Sequence, residues 1–505
     1  MKIFIGYPPT VTRFKGTPLL SQNRQYQVFH VHTTLFPVVL ATGATMLRDQ
    51  GHDVTWVDCI AEKLSTEDFY KLVEEKKPDI FFFETKAPVV KIHWEIINEI
   101  KEKFPNLKIC VMGDHVSAVD LTLGLQKEFM EKCKVDYIIN GGYFDFAFCE
   151  LVEALEKKKK IPEGIWYKDN KGKIIENGRY NFKGNLDDAP IIDRVFTKNH
   201  LYQHEFNLIG RPLAYIMAGR DCWYGKCTFC VWDTNLYPKG SFRGRSPENV
   251  MKEVKYLVDE CGVKEIFDDA GTIIVGPWLK KFCNLMIESG YNKKVIYSGN
   301  MRFGAVSAED YKLMKQAGFR LLKYGLESGC QSTINKLDKG TKIEEVEKSC
   351  REAKEAKLQV HLTMMCGYSF ETREDALKTY KLAKRLMLKG YADVLQSTVI
   401  VPYPGTPLYK EGMEKNWFRF DPRDYERFDM REPVFKTPDM TPDQVTKLNN
   451  KIYYIFLDPR YVLRHLRKIK SFEDIVYTLR GIKAVVGHIL DFSTTAPQSE
   501  ESPIR

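Results

Sequence analysis

Three cysteines crowd into one short stretch, Arg220-Asp221-Cys222-Trp223-Tyr224-Gly225-Lys226-Cys227-Thr228-Phe229-Cys230. Thiolates this close can wrap one face of an iron–sulfur cubane, and the same ligands suit zinc. The ligand count separates the two. A structural zinc site takes four ligands, usually from a second cysteine pair or two histidines. No second C-x2-C is present, and the nearest histidines, His200 and His204, lie upstream on an apparent loop. Zinc stays open only with a distant fourth ligand, Cys330 or Cys366. Three protein ligands on a cluster leave one iron free to chelate a small molecule. The chain has 12 cysteines and starts with a strand-like segment that lacks the apolar core of a signal peptide. A cytoplasmic setting is therefore expected, with reduced thiols that serve metal rather than disulfides.

Something must hold that loop, and the following segments alternate strand and helix. Strand candidates are Leu213–Ala218, Val263–Phe267, Val295–Ser298, Leu321–Leu326, Gln359–Met365 and Val394–Val401, mostly followed by helical patterns. Six such units make a partial (β/α)6 barrel over residues 211–420, with chemistry expected at the carboxyl ends of the strands. The polar and glycine-rich segments fall at those ends. They are Asp268-Asp269, Ser298-Gly299-Asn300-Met301-Arg302, Tyr324-Gly325-Leu326-Glu327-Ser328-Gly329, Gly367-Tyr368-Ser369-Phe370-Glu371-Thr372 and Pro402-Tyr403-Pro404-Gly405-Thr406-Pro407-Leu408-Tyr409. Each alone reads as a strand-end turn or helix cap. Their order after the cysteine loop favours a shared site.

Residues 1–160 also alternate, with apolar runs at Ile3–Tyr7, Val54–Val57, Ile80–Phe83, Ile109–Met112 and Tyr137–Ile139 between helical patterns. Five buried strands with helical crossovers predict a doubly wound parallel sheet, Rossmann-like in class. Its strand-end loops carry Pro8, Lys86, Gly113, His115, Gly141, Gly142 and Tyr143, where small residues let backbone approach a flat, bulky ligand. No G-x-G-x-x-G follows the first strand, which disfavours a dinucleotide. His30, His32 and His93 read as packing or surface residues. A linker with a hairpin is expected over 161–210, a helical domain over 421–491 and a disordered polar tail over 492–505. The C-terminal aromatic and basic residues, including Tyr453, Tyr454, Phe456, Arg460, Arg464 and Arg467, fit an amphipathic helix packed on the barrel; a lid over substrate and contact with a lipid-like or anionic substrate are the other readings. The excess of 76 basic over 67 acidic residues, a net +9, is spread over helical surfaces and predicts no nucleic-acid partner. No apolar run is long enough to predict a membrane span.

The cysteine loop, with aromatic Phe229 before its last cysteine, resembles that of the radical S-adenosylmethionine (SAM) enzymes. Their usual spacing is C-x3-C-x2-C; here the first gap is four residues. Tyr324–Gly329 resembles the family's G-x-E-S-G segment, 367–372 its G-x-P-x-E-T with Ser369 in place of proline, and 402–409 its sixth-strand exit. The preceding doubly wound domain, with Gly113-Asp114-His115-Val116-Ser117, resembles the cobalamin-binding domain of cobalamin-dependent members. This resemblance, over residues 1–420, implies that Cys222, Cys227 and Cys230 ligate a 4Fe–4S cluster whose open iron binds SAM. It implies SAM contacts at Phe229, Ser298, Arg302 and Glu327, and cobalamin between the two domains. The D-x-H-x-x-G signature of a cobalt-ligating histidine is absent, because Asp114 and His115 are adjacent. The implied activity is radical methyl transfer to an unactivated carbon or to phosphorus on a small-molecule or lipid-like substrate, with flavodoxin or ferredoxin as reductant. Two rivals remain: a cyclase or rearrangement enzyme with the same cofactors, and a non-catalytic zinc or iron–sulfur module.

Overall fold

The computed structural model describes the chain except residues 13–15, 21–25, 30, 206, 468, 470–471 and 494–505, and the side chains of 233, 472–473, 488 and 491–493. His30 and the tail from 494 therefore lie outside the described residues.

Near-continuous apolar runs form the first sheet, because strands covered on both faces have no polar side. Strands β1 (Lys2–Tyr7), β2 (Asp53–Asp58), β3 (Ile80–Glu84), β4 (Lys108–Met112) and β5 (Tyr137–Ile139) lie parallel in the order β2-β1-β3-β4-β5. Alternate residues feed opposite cores: Phe4, Phe81, Phe83 and Val111 one, and Ile3, Ile5, Phe82 and Met112 the other. Helices α1 (Val38–Asp49), α2 (Thr66–Lys76), α3 (Val90–Lys103), α4 (Leu125–Lys132) and α5 (Phe144–Glu156) cover the two faces. The hairpin expected in the linker, β6 (Ile165–Lys168) and β7 (Ile174–Ile175), pairs antiparallel onto β5 and so joins this sheet. It satisfies the backbone edge that β5 would otherwise leave open.

Strands β8 (Leu213–Ile216), β9 (Glu265–Asp268), β10 (Ile296–Met301), β11 (Phe319–Glu327), β12 (Gln359–Cys366) and β13 (Val394–Val399) pair parallel in chain order. β8 and β13 do not pair, so this is a partial barrel, open along one side. Helices α6 (Pro247–Asp259), α7 (Pro277–Glu288), α8 (Ala308–Gln316), α9 (Gln331–Lys336), α10 (Ile343–Glu355) and α11 (Arg373–Lys389) form the crossovers, and α12 (Pro407–Glu414) follows the last strand.

One apolar cluster runs through both domains, from Ile3 and Phe148 to Trp232, Tyr237, Tyr403 and Phe435. The α/β architecture of a doubly wound sheet joined to a partial barrel is thus as the sequence predicts. Helix α13 (Pro442–Tyr453) packs on β12 and β13, where the Tyr453 hydroxyl donates to the Ser397 carbonyl at 2.7 Å. In α14 (Pro459–Leu466), Arg464 donates to the Leu388 carbonyl at 3.0 Å, as the packing reading requires. Helix α15 (Phe472–Ser493) lies against α13 and the Val28–Phe29 strand and leaves Leu479, Ile482, Val486 and Leu490 exposed. No helix among the described residues is long and apolar enough to cross a membrane.

Candidate functional site

The cysteine loop leaves β8 at the carboxyl end of the barrel. Asp268, the last residue of β9, steers it: its carboxylate accepts from the Ala218 and Ala270 amides at 3.1 and 3.2 Å and from the Tyr297 hydroxyl at 3.2 Å. Burial pushes the Asp268 carboxyl up to about 6 against those hydrogen bonds. Asp221 then takes the left-handed region at φ 74°, unusual for a residue with a Cβ, and turns Cys222 inward. The neighbouring chain has no room for a side chain: a Cβ on Gly271 would stand 2.7 Å from the Cys222 Cβ. Further on, the Thr228 amide donates to the Leu337 carbonyl at 3.0 Å. The Leu408 amide donates to the Thr228 carbonyl at 3.0 Å, so the loop at 402–409 braces the cysteines from the other side.

Cys222, Cys227 and Cys230 are buried and line one cavity of about 150 Å3 with Phe229, Asn300, Arg302, Glu327 and Lys339. Among the described residues no three His, Cys, Asp or Glu side chains are gathered as around a metal ion. Cys330 and Cys366 do not line this cavity. Cys330 donates to Asp375 Oδ1 at 3.1 Å, and Cys366 faces the Thr398 carbonyl at 3.9 Å. Neither supplies the fourth ligand that zinc would need.

The opposite wall is charged. Lys339 Nζ lies 2.8 Å from Glu327 Oε1, and both side chains are about nine-tenths buried. Burial works against a charged Lys339, but Glu327 and the Cys227 sulfur outweigh it and hold its pKa above the ordinary value. Glu327 itself sits at φ 59°, a second left-handed residue on the cavity wall. A Cβ on Gly325 would fall 2.3 Å from Glu327 Oε1, so a side chain there would push this pair from its present position. Arg302 stacks its guanidinium 3.6 Å from the Tyr224 ring centroid, a cation–π contact, and donates to the Lys339 carbonyl on the cavity wall. Phe229, Arg302 and Glu327 line this one cavity. Ser298 does not: its hydroxyl donates to Glu265 Oε1 at 2.8 Å, inside the barrel's Glu265–Arg320 ion pair. Lys339 was not singled out by any motif, and Asn300 only as part of a strand end.

The other domain meets this loop directly. The π-helical turn Trp232–Leu236, right after Cys230, has Asn235 donating to the Asp114 carbonyl at 2.9 Å and the Pro404 carbonyl at 2.7 Å. The Gly142 amide donates to the Leu236 carbonyl at 2.8 Å, and Arg179 donates to the Leu236 carbonyl at 2.7 Å. Arg220 Nη2 pairs with Asp145 Oδ2 at 2.8 Å, a buried salt bridge between the cysteine loop and the first turn of α5. Gly141 and Gly142 face the Tyr180 and Tyr237 side chains, and Tyr143 stacks with Phe182 at 4.9 Å. Gly142 and Tyr143 form the domain contact itself.

Lys86, Gly113 and His115 gather around buried carboxylates at the ends of β3 and β4. A Cβ on Gly113 would lie 2.2 Å from the Thr85 carbonyl oxygen. Burial lifts Glu84 to about 7 and Asp114 to about 6, with Lys86 opposing both, and burial drives His115 down to about 3. Asp114 Oδ1 and both His115 ring nitrogens are buried without hydrogen-bond partners. Pro8 is buried at the end of β1. His93 is a packing residue, buried with Nδ1 2.8 Å from the Thr85 hydroxyl.

The radical SAM superfamily profile matches residues 216–383, a span that holds the three cysteines and the strand ends around them. That segment is a radical SAM domain. Its cluster cysteines and the wall they face fit a 4Fe–4S cluster and SAM: three thiols, an open side, and charged groups able to meet an amino acid and a ribose. A protein named as an uncharacterized methyltransferase of Pyrococcus horikoshii is 27% identical over 494 residues, covering 96% of this chain and 98% of that one. The anaerobic magnesium-protoporphyrin IX monomethyl ester cyclase of Rubrivivax gelatinosus is 23% identical over 430 residues, 81% of this chain and 71% of that one. Among solved structures, the cobalamin-dependent radical SAM enzyme OxsB superposes with TM-score 0.68 at 15% identity, over 97% of this chain and 72% of OxsB. The radical SAM methyltransferase TsrM from Kitasatospora setae superposes with TM-score 0.66 at 15% identity, over 96% and 99%. The whole two-domain architecture, not the barrel alone, is shared with those enzymes.

Proposed function

We propose that this radical SAM enzyme binds cobalamin between its two domains and transfers a methyl group to an unactivated carbon or phosphorus of a small-molecule or lipid-like substrate. The observation that carries this reading is the direct bonding of the turn after Cys230 to the strand-end loops at Asp114 and Gly142. A ligand at those strand ends stands next to the cluster loop. The unpartnered Asp114 Oδ1 and His115 nitrogens fit the amide side chains that rim a corrin ring, which both donate and accept. When bound, the cluster with SAM supplies hydrogen-atom abstraction, and the corrinoid supplies a methyl carrier.

The chain's own residues bind and exclude. Cys222, Cys227 and Cys230 hold the cluster; Glu327, oriented by Lys339, accepts hydrogen bonds from SAM; Arg302 lines the same cavity. The shared apolar cluster around Trp232 and Tyr237 keeps water out of the domain junction. The name of the Pyrococcus relative and the activity of TsrM support methyl transfer. The test is anaerobic reconstitution with iron, sulfide, cobalamin and methyl-labelled SAM, incubated with cell extract and read by mass spectrometry. Label in a new product is the expected result, along with 5′-deoxyadenosine that Cys222→Ala, Cys227→Ala or Cys230→Ala abolishes. Deoxyadenosine without methyl incorporation would replace this reading with the cyclase one, and neither product would overturn it entirely.

A further inference from the structure

Next to the cluster cavity lies a second one, of about 390 Å3, within the range of small-ligand sites. It opens beneath α15, between β13 and the segment that precedes β8. Two side chains, Lys323 on β11 and Gln396 on β13, line both cavities, so a molecule seated in the second reaches the first.

Its charge is one-sided. Arg211, Lys323, Arg480 and Lys483 face it against a single carboxylate, Glu205. None of those four cations forms a salt bridge among the described residues: Arg211 donates only to backbone carbonyls at 205, 208 and 210, and Lys323 lies over the Phe267 ring. Arg480 Nε is buried with no hydrogen-bond partner. Burial and then the neighbouring Arg480 lower the Arg211 pKa, which is the mark of like charges held together in a drying site. His32 and His204 meet edge to face at 4.6 Å, and burial with that neighbour pushes His32 down to about 4, so this pair adds neutral hydrogen-bonding groups. The remaining wall is apolar, with Leu19, Phe29 and Leu35. Like charges left unpaired in a half-buried space are costly unless an anion joins them.

We propose that this cavity seats the substrate, and that the substrate is an amphiphile with an anionic head, carboxylate or phosphate. The head lies on Arg211, Arg480 and Lys483, the body runs along Leu19, Phe29 and Leu35, and the reacting end passes Lys323 and Gln396 to the cluster cavity. This rests on the reading above that the enzyme acts on a small-molecule or lipid-like substrate.

The test is equilibrium dialysis of the reconstituted wild-type enzyme against decanoate, decyl phosphate and decanol, each below its aggregation limit. One or both anions are expected to bind roughly tenfold or more tightly than the alcohol. The preferred anion identifies the head. Arg480→Gln with Lys483→Gln is expected to weaken the anion by roughly tenfold or more and leave decanol unchanged. Arg480→Lys keeps the charge and should keep the binding, which separates charge loss from misfolding. Decanol bound as tightly as the anions, no anion binding, or full affinity in the neutralised variant would each sink the proposal. Reductive SAM cleavage by the same wild-type preparation is measured alongside. Its absence would count against the radical reading, and its presence without anion binding counts against this cavity alone.

Discussion

Asp145→Ala removes one partner of the ion pair that ties the cysteine loop to the first domain. Arg220 is two residues before Cys222, its side chain is 6% exposed, and Asp145 is fully buried at 0%. The remaining guanidinium would keep its charge in a site with no other ion-pair partner among the described residues, and it could not reach water without opening the domain contact. Removing one member of such a pair costs about 3–5 kcal/mol, mostly the penalty of stranding the other charge. With a urea dependence of ~3 kcal/mol per molar, the upper end for small domains, the unfolding midpoint moves down by roughly 1–1.7 M. The assay is urea unfolding of the apo protein followed by tryptophan fluorescence, since Trp232 lies in the shared core beside this contact. Asp145→Leu with Arg220→Met removes both charges and should recover most of the loss, because the desolvation cost disappears with the pair. A midpoint within roughly 0.3 M of wild type for Asp145→Ala, or a double variant no better than the single one, would refute the claim that this buried charge pair holds the domains.

Two further outcomes are expected. Gly271→Ala places a Cβ 2.7 Å from the Cys222 Cβ and 2.8 Å from the Asp221 carbonyl oxygen, so the loop must shift and cluster assembly should fall severalfold, measured as iron per chain after anaerobic reconstitution. Glu371 is lifted by burial from 4.5 to about 8, against hydrogen bonds from the Gly367 amide and the Ser328 hydroxyl. A carboxyl raised in the folded state contributes stability that is complete below pH 4.5 and is lost as pH rises through 8, worth about 5 kcal/mol at most over that span. Glu371→Gln should therefore lose its stability disadvantage progressively between pH 5 and 9 in urea unfolding, and a pH-independent difference from wild type would refute the assignment.

The strands and the cluster loop were legible because their signals are local. Ile80–Phe83 is apolar throughout and had to be covered on both faces, and three cysteines within one loop declare a shared ligand. The strand-end segments at 324–329 and 402–409 were legible by resemblance, but their physical roles differ. Glu327 lines the cavity, whereas Gly405 exists for contact: a Cβ there would strike the Asn235 amide at 2.4 Å. What sequence could not give was any group whose role depends on a distant partner. Lys339 matters because Glu327, twelve positions earlier, folds back on it, and Ser298 leaves the site because Glu265 on the adjacent strand accepts its hydrogen bond. The hairpin at 165–175 looked like a linker because turn residues show in sequence and an open strand edge does not.

The same distinction explains the domain junction. Gly141, Gly142 and Tyr143 were read as ligand contacts because small residues at strand ends allow close approach, and close approach is what the structure has. The body that approaches is Tyr237, the residue after the π-helical turn Trp232–Leu236, with its hydroxyl donating to the Gly142 carbonyl at 3.2 Å. Gly142 clamps the cluster loop to the first domain, while Gly141 packs on Tyr180 and its amide donates to the Ser117 hydroxyl at 3.1 Å. The polar end of that junction, at Asp114 and His115, keeps its hydrogen-bonding capacity unspent. Asn235 bridges the two regions, since it bonds the Asp114 carbonyl and the Pro404 carbonyl at once. Any ligand that draws Asp114 into new hydrogen bonds therefore pulls on the turn that follows Cys230. Mechanical continuity between the two halves of the site rests on that amide together with the Gly142–Leu236 and Tyr237–Gly142 hydrogen bonds and the Arg220–Asp145 ion pair.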